Sequence, residues 1–216
     1  MQARARREKA FAGPSFDIEM SQRGVVAGID EAGRGPWAGP VVAAAVILDP
    51  ENIPAGLADS KTLSEKRREE IAIAIRERAH VGVGISSVEE IDKINILQAT
   101  FLAMARAEAG LAHQPDVCIV DGSQKPKLTA HTHMVVKGDA LSFSIAAASI
   151  IAKTVRDQIM RELACEYPFY AWENNKGYGA PAHREGLERH GVTPHHRKSF
   201  APIRALCQIA GRDCSS

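Results

Sequence analysis

The chain has 216 residues, 45% apolar and 25% charged, with 27 lysines and arginines against 26 aspartates and glutamates. That length can bury one sizeable core, and the composition is ordinary for a soluble globular protein. No apolar run approaches the ~18 residues of a membrane span, and a net charge of +1 says nothing by itself about a polyanionic partner.

Residues 1–23 begin with Arg4, Arg6, Arg7 and Lys9 around Glu8, with no apolar signal core behind them. They are expected to form a basic arm without regular structure, ahead of one domain over 24–216. Four cysteines (Cys118, Cys165, Cys207, Cys214) show no Cys-x-x-Cys spacing and no paired framework. Cys118 and Cys165 fall in apolar patterns and read as reduced core residues, which suits a cytoplasmic protein.

The run Gly24–Asp30 reads as a buried strand. It ends on two adjacent carboxylates, Asp30 and Glu31. The glycine-rich turn Ala32-Gly33-Arg34-Gly35-Pro36 follows, and Pro40–Asp49 reads as a second strand. The glycine spacing, the proline and the strand that follows do not match a dinucleotide-binding loop. Asp30 and Glu31 would repel a bare phosphate and attract one only across Mg²⁺ or Mn²⁺. Consecutive strand residues point to opposite faces, so both acids can serve one site only if Glu31 has left the strand.

In Asp59-Ser60-Lys61-Thr62, Thr62 has capping-box spacing to Glu65, which opens a helix over Glu65–Arg78. Lys61, just ahead of it, is placed to meet a phosphate. His80–Ser86 alternates as a strand. A helix then runs from Ser87 to about His113, with Ile91, Ile94, Leu97, Phe101, Leu102 and Ala105 as its core stripe. Pro115–Gly122 and Met134–Asp139 repeat the opening theme, a strand ending in an acid, at Asp121 and Asp139. Three such acids converge if the strands share one rim of a sheet.

Ser142–Tyr167 is a helix rich in small residues, with Asp157 within reach of that rim. From Asn174 onward, seven lysines and arginines face three acids, a basic third suited to a nucleic-acid backbone. Tyr178, between glycines, suits packing against a sugar or base. Carboxylates with no histidine or cysteine ligand set select hard cations, Mg²⁺ or Mn²⁺. The chemistry such a site suits is two-metal phosphodiester cleavage.

At these residues the chain resembles type 2 ribonuclease H, the bacterial ribonuclease HII family. The matching motifs are Asp30-Glu31-Ala32-Gly33-Arg34-Gly35-Pro36, Asp59-Ser60-Lys61-x-Leu63-Ser64, Ile119-Val120-Asp121-Gly122 and Lys137-Gly138-Asp139. Ser144–Lys153, Lys176-Gly177-Tyr178 and His196-Arg197-x-Ser199-Phe200 continue them. The resemblance implies an α/β, ribonuclease H-like fold: a five-stranded mixed sheet flanked by helices, with a C-terminal helical segment from about residue 168. It implies that Asp30, Glu31, Asp121 and Asp139 are the catalytic, metal-binding acids. Gly33-Arg34-Gly35 would contact the 2′-hydroxyl, Tyr178 would pack on the sugar at an RNA–DNA junction, and Ser60 and Lys61 would hold a backbone phosphate.

The implied activity is endonucleolytic cleavage of RNA in RNA–DNA hybrids and on the 5′ side of single ribonucleotides in duplex DNA. Products would carry a 3′-hydroxyl and a 5′-phosphate, and the protein would be a monomer away from membranes. The short segment before the first strand disfavours the related HIII type. A non-catalytic hybrid-binding module and another metal-dependent nuclease of the same broad fold are the alternatives.

Overall fold

The computed structural model describes residues 13–57, 60 and 63–209. Five strands, β1 (Val26–Ala32), β2 (Val41–Ile47), β3 (His80–Ser86), β4 (Val117–Asp121) and β5 (His131–Val135), form one sheet in the order β3-β2-β1-β4-β5. The β1–β2 and β2–β3 pairs are antiparallel, while β1–β4 and β4–β5 are parallel. The sheet is therefore mixed, as the resemblance implied.

Its centre is apolar on both faces because helices cover both. Ala27, Ile29, Val41, Ala43, Ala45, Cys118 and Val120 pack on one side against α3 (Val88–Ala109). On the other, Ala44 and Val46 meet α2 (Glu65–Arg78) and the long α4 (Phe143–Glu166). Gly28 lets α4 lie directly on β1: a Cβ there would come within 2.2 Å of the Ser144 backbone. That close approach places the next turns of α4 over the end of β1. A third cluster, with Trp172 and Tyr170 at its centre, joins α4 to the C-terminal helices α5 (Trp172–Asn175), α6 (Pro181–His190) and α7 (Ala201–Ile209).

Several expectations change. Residues 13–23 are not an unstructured arm. Asp17–Met20 forms a short helix (α1), Ser15 bridges to Ser142, and the Phe16 and Phe143 rings lie 5.3 Å apart. The buried Glu19 carboxylate accepts from the Ser142 hydroxyl (2.7 Å) and the Ser144 amide (2.9 Å). A carboxylate satisfies the orphan donors at a helix start. The basic cluster at Arg4–Lys9 lies outside the described residues.

The helix expected over 87–113 begins with a Ser87–Glu90 capping box but breaks at Asn95 (φ 68°), whose side chain caps the amides of Leu97 and Gln98. Beyond the break the fully buried face shifts to Ala99, Ala103, Met104 and Ala107. Strand β5 starts earlier than expected and stops at Val135. Asp139 comes from a 3₁₀ turn, Gly138–Ala140, entered through left-handed Lys137 (φ 58°). Cys118 is buried and free as expected, but free Cys165 is exposed. No described helix is long and apolar enough to cross a membrane.

Candidate active site

The parallel pairing of β1 with β4 and of β4 with β5 brings their carboxyl ends to one rim. There, one oxygen from each of Asp30, Asp121 and Asp139 lies within 4.8 Å of the others. Asp30 faces α4. It accepts from the Glu31 amide (2.7 Å), and Ser149 beside it favours its charged form. Asp121 accepts from the Gly138 amide at 2.7 Å, which draws the 3₁₀ turn carrying Asp139 against β4. Burial pushes Asp30 well above the usual carboxylate range, and the charges of Glu31 and Asp121 push it further. Three oxygen donors this close, with no histidine or cysteine among them, fit a hard divalent cation.

Glu31 does not leave the strand. It is still paired with Ala43 inside β1, on the opposite face from Asp30, and its carboxylate lies 3.4 Å from Arg34. It nevertheless lines the same cavity, because β1 ends one residue later at Ala32. The tight cluster therefore holds three of the four expected acids, and Glu31 stands beside it.

This cavity, about 360 Å³, is also lined by Gly33, Arg34, Gly35, Ser60, Lys153, Arg156 and Tyr178. Gly33 is left-handed (φ +97°), and a Cβ on it would fall 2.0 Å from Arg156 Nε. A Cβ on Gly35 would lie 3.4 Å from the Tyr178 ring, so turn and aromatic face each other. The Tyr178 side is half exposed. Ser60 is buried with its hydroxyl 2.9 Å from that of Ser149, so the oxygen expected to hold a phosphate is engaged with the support of Asp30. Lys61 lies outside the described residues.

Asp157 stays out of the acid cluster: Lys153 (2.6 Å) and Arg68 (3.3 Å) take its two oxygens. Sequence reasoning missed Ser149, Lys153 and Arg156 as site residues. Their spacing on α4 (positions 149, 153 and 156) is the signal, because polar residues four and three apart share one helix face.

Part of the basic C-terminal third is interior: Arg184, Arg189 and Arg204 are exposed, but other groups are not. Arg197, His183 and His196 are fully buried, and Lys176 nearly so. The Thr193 amide donates to His196 Nδ1 (3.0 Å), so His196 carries its proton on Nε2 and donates it to His183 Nε2 (3.0 Å). Trp172 Nε1 donates to the same His183 nitrogen (3.2 Å). His183 then donates from Nδ1 to the Tyr178 carbonyl (2.8 Å). Burial, and then the neighbouring His183, push His196 down to about 3; burial lowers His183 as well. Both rings are neutral, and the chain of bonds ends on the backbone that carries Tyr178.

A mixed five-stranded sheet with carboxylates clustered on its rim defines the class: a ribonuclease H-like nuclease. The chain belongs to the ribonuclease HII family, whose model matches residues 27–203, and is therefore an endoribonuclease of the ribonuclease H type. It is 56% identical over 193 residues to the Ribonuclease HII of Rhizorhabdus wittichii, covering 89% of this chain and 96% of that one. The Ribonuclease HII of Jannaschia sp. is 56% identical over 197 residues, covering 90% and 99%. Among solved structures, ribonuclease H2 from Pyrococcus horikoshii superposes with a TM-score of 0.75 at 28% identity, over 87% of this chain and 99% of that one. The Bst-RNase HIII structure in complex with Mn²⁺ shares the fold (TM-score 0.69, 23% identity, 88% and 71% coverage).

Proposed function

We propose that the chain hydrolyses the RNA strand of RNA–DNA hybrids and cuts on the 5′ side of single ribonucleotides embedded in duplex DNA, leaving 3′-hydroxyl and 5′-phosphate ends. One observation carries this reading: a single cavity is lined by Asp30 and Asp121, two members of the acid cluster, and by a glycine turn that faces an exposed tyrosine.

Asp30, Asp121 and Asp139, with Glu31 beside them, would hold Mg²⁺ or Mn²⁺. Carboxylates at this separation repel one another unless cations lie between them. Bound there, the ions supply a lowered pKa for the attacking water and counter-charge for the leaving oxygen. The chain's own groups set the geometry. The Glu31 amide holds the Asp30 carboxylate, with Ser149, backed by Ser60, beside it, and the Gly138 amide orients Asp121. Such prior orientation is what makes positioned groups effective.

Gly33-Arg34-Gly35 meets the 2′-hydroxyl, the group that distinguishes RNA from DNA. Tyr178 packs its half-exposed ring on the sugar at the junction. Lys153 on the cavity wall, and Lys61, meet backbone phosphate.

Incubating an RNA–DNA hybrid with the protein and Mg²⁺, Mn²⁺ or EDTA tests the reading. Cleavage of the RNA strand with at least one ion, and none in EDTA, is expected. Binding without cleavage in either ion would make the chain a hybrid-binding module instead.

A further inference from the structure

Two buried arginines stand behind the Gly33-Arg34-Gly35 turn, and neither forms an ion pair among the described residues. Arg197 is fully buried and Arg156 is 1% exposed. Arg197 donates from Nε to the Gly39 carbonyl (2.9 Å), from Nη1 to that of Arg34 (3.0 Å), and from Nη2 to those of Gly33 (2.6 Å) and Pro40 (3.1 Å). Arg156 donates to the carbonyls of Pro40 (3.0 Å), Lys176 (3.0 Å) and Ala38 (3.1 Å). Every acceptor is a backbone oxygen. Burying two neighbouring cations costs desolvation and repulsion that an apolar pair would avoid. Stability alone is thus a poor reason for the arrangement.

Its geometric consequence is specific. A trans peptide unit is planar, with C=O and N–H on opposite sides, and no described peptide bond is cis. The carbonyls of Gly33 and Arg34 are drawn inward onto Arg197, so the amides of Arg34 and Gly35 face the other way. Both residues line the acid-bearing cavity, and neither amide donates to another described residue. Arg156 ties the segment just after the turn, through the Ala38 and Pro40 carbonyls, to the loop that carries Tyr178, through that of Lys176.

We propose that Arg197, assisted by Arg156, is a positioning residue for ribose selection. It holds two consecutive peptide planes of the turn so that the Arg34 and Gly35 amides are presented to the 2′-hydroxyl. The assignment rests on the proposed 2′-hydroxyl contact at this turn. Lysine cannot replace the arginine, because one ammonium cannot reproduce a planar fork spread over four carbonyls.

The test is Arg197→Lys, with three quantities measured beside wild type. They are KM for a duplex carrying one ribonucleotide, the inhibition constant of the all-DNA duplex as competitor, and the melting temperature. Losing aligned hydrogen bonds to the sugar should raise KM about tenfold or more, while the inhibition constant, set by phosphate contacts, stays the same. An unchanged ratio of the two with only a lower melting temperature overturns the assignment.

If Arg197→Lys does not fold, Arg156→Lys carries the same comparison. Hydrogen exchange on the unaltered chain in EDTA carries it without any variant. The Arg34 and Gly35 amides should be protected by the ribonucleotide duplex and not by the all-DNA duplex, and equal protection by both overturns the assignment. A wild type that cuts both duplexes, or neither, removes the 2′-hydroxyl reading itself. A discriminating wild type beside a variant of unchanged ratio removes only the role of the arginine.

Discussion

The hydroxyls of Ser60 and Ser149 lie 2.9 Å apart, and Ser149 stands beside the carboxylate of Asp30 and favours its charged form. A loop ahead of α2 and the middle of α4 thus orient one acid at the end of β1. Groups that orient a metal ligand typically contribute ten- to a hundredfold. Ser149→Ala should therefore lower kcat by about tenfold or more, with KM for a hybrid substrate unchanged. A kcat equal to wild type would show that Asp30 needs no such support.

Asp121→Asn should remove cleavage while keeping the fold. Loss of the metal's contribution, several kcal/mol, corresponds to a drop in rate of roughly a thousandfold or more. In EDTA the variant should melt no lower than wild type, because one of three mutually repelling carboxylates has gone. Added Mg²⁺ should raise the melting temperature of wild type and leave the variant unmoved, by linkage of binding to stability. A variant stabilised by Mg²⁺ as strongly as wild type would contradict the metal assignment.

The histidine chain sets a pH dependence of stability. His196 is pushed from 6.5 to about 3 in the folded protein, and His183 is lowered too. The unfolded chain therefore binds more protons between about 6.5 and about 3, and stability falls with falling pH across that window. Each histidine contributes a slope of at most about 1.4 kcal/mol per pH unit. Above pH 6.5 the full contribution is present. In His196→Asn the melting temperature should start lower at pH 8 but fall less steeply down to pH 5. An identical slope would show that His196 does not titrate in this way.

Tyr178→Ala should reduce kcat/KM on a single-ribonucleotide duplex more than on a long RNA–DNA hybrid. Stacking on a sugar or base is worth about 1–3 kcal/mol, and only the former substrate places an RNA–DNA junction at every cleavage event. Equal losses on the two substrates would remove the junction role.

Asp30 and Asp121 were legible because each closes an apolar run. Their strands are buried along their length, and the parallel pairing of β1 with β4 brings those ends together. What lay hidden depends on backbone conformations with no residue signature. Left-handed Lys137 moves Asp139 off a strand and into a turn, and left-handed Asn95 re-registers the buried face of α3. Arg197 looked like part of a basic surface, since nothing local shows that inward carbonyls wait for it. Glu19 carries equally little local signal. Its partners, Ser142 and Ser144, lie more than a hundred positions away.

The first measurement is cleavage of a DNA duplex bearing one ribonucleotide beside the all-deoxy duplex, with the product ends mapped, in Mg²⁺ or Mn²⁺. A cut on the 5′ side of the ribonucleotide, with 3′-hydroxyl and 5′-phosphate ends and the control intact, is the expected result. It would join the acid cluster and the glycine turn in one reaction. Cutting of both duplexes, or ends of the opposite kind, would contradict it.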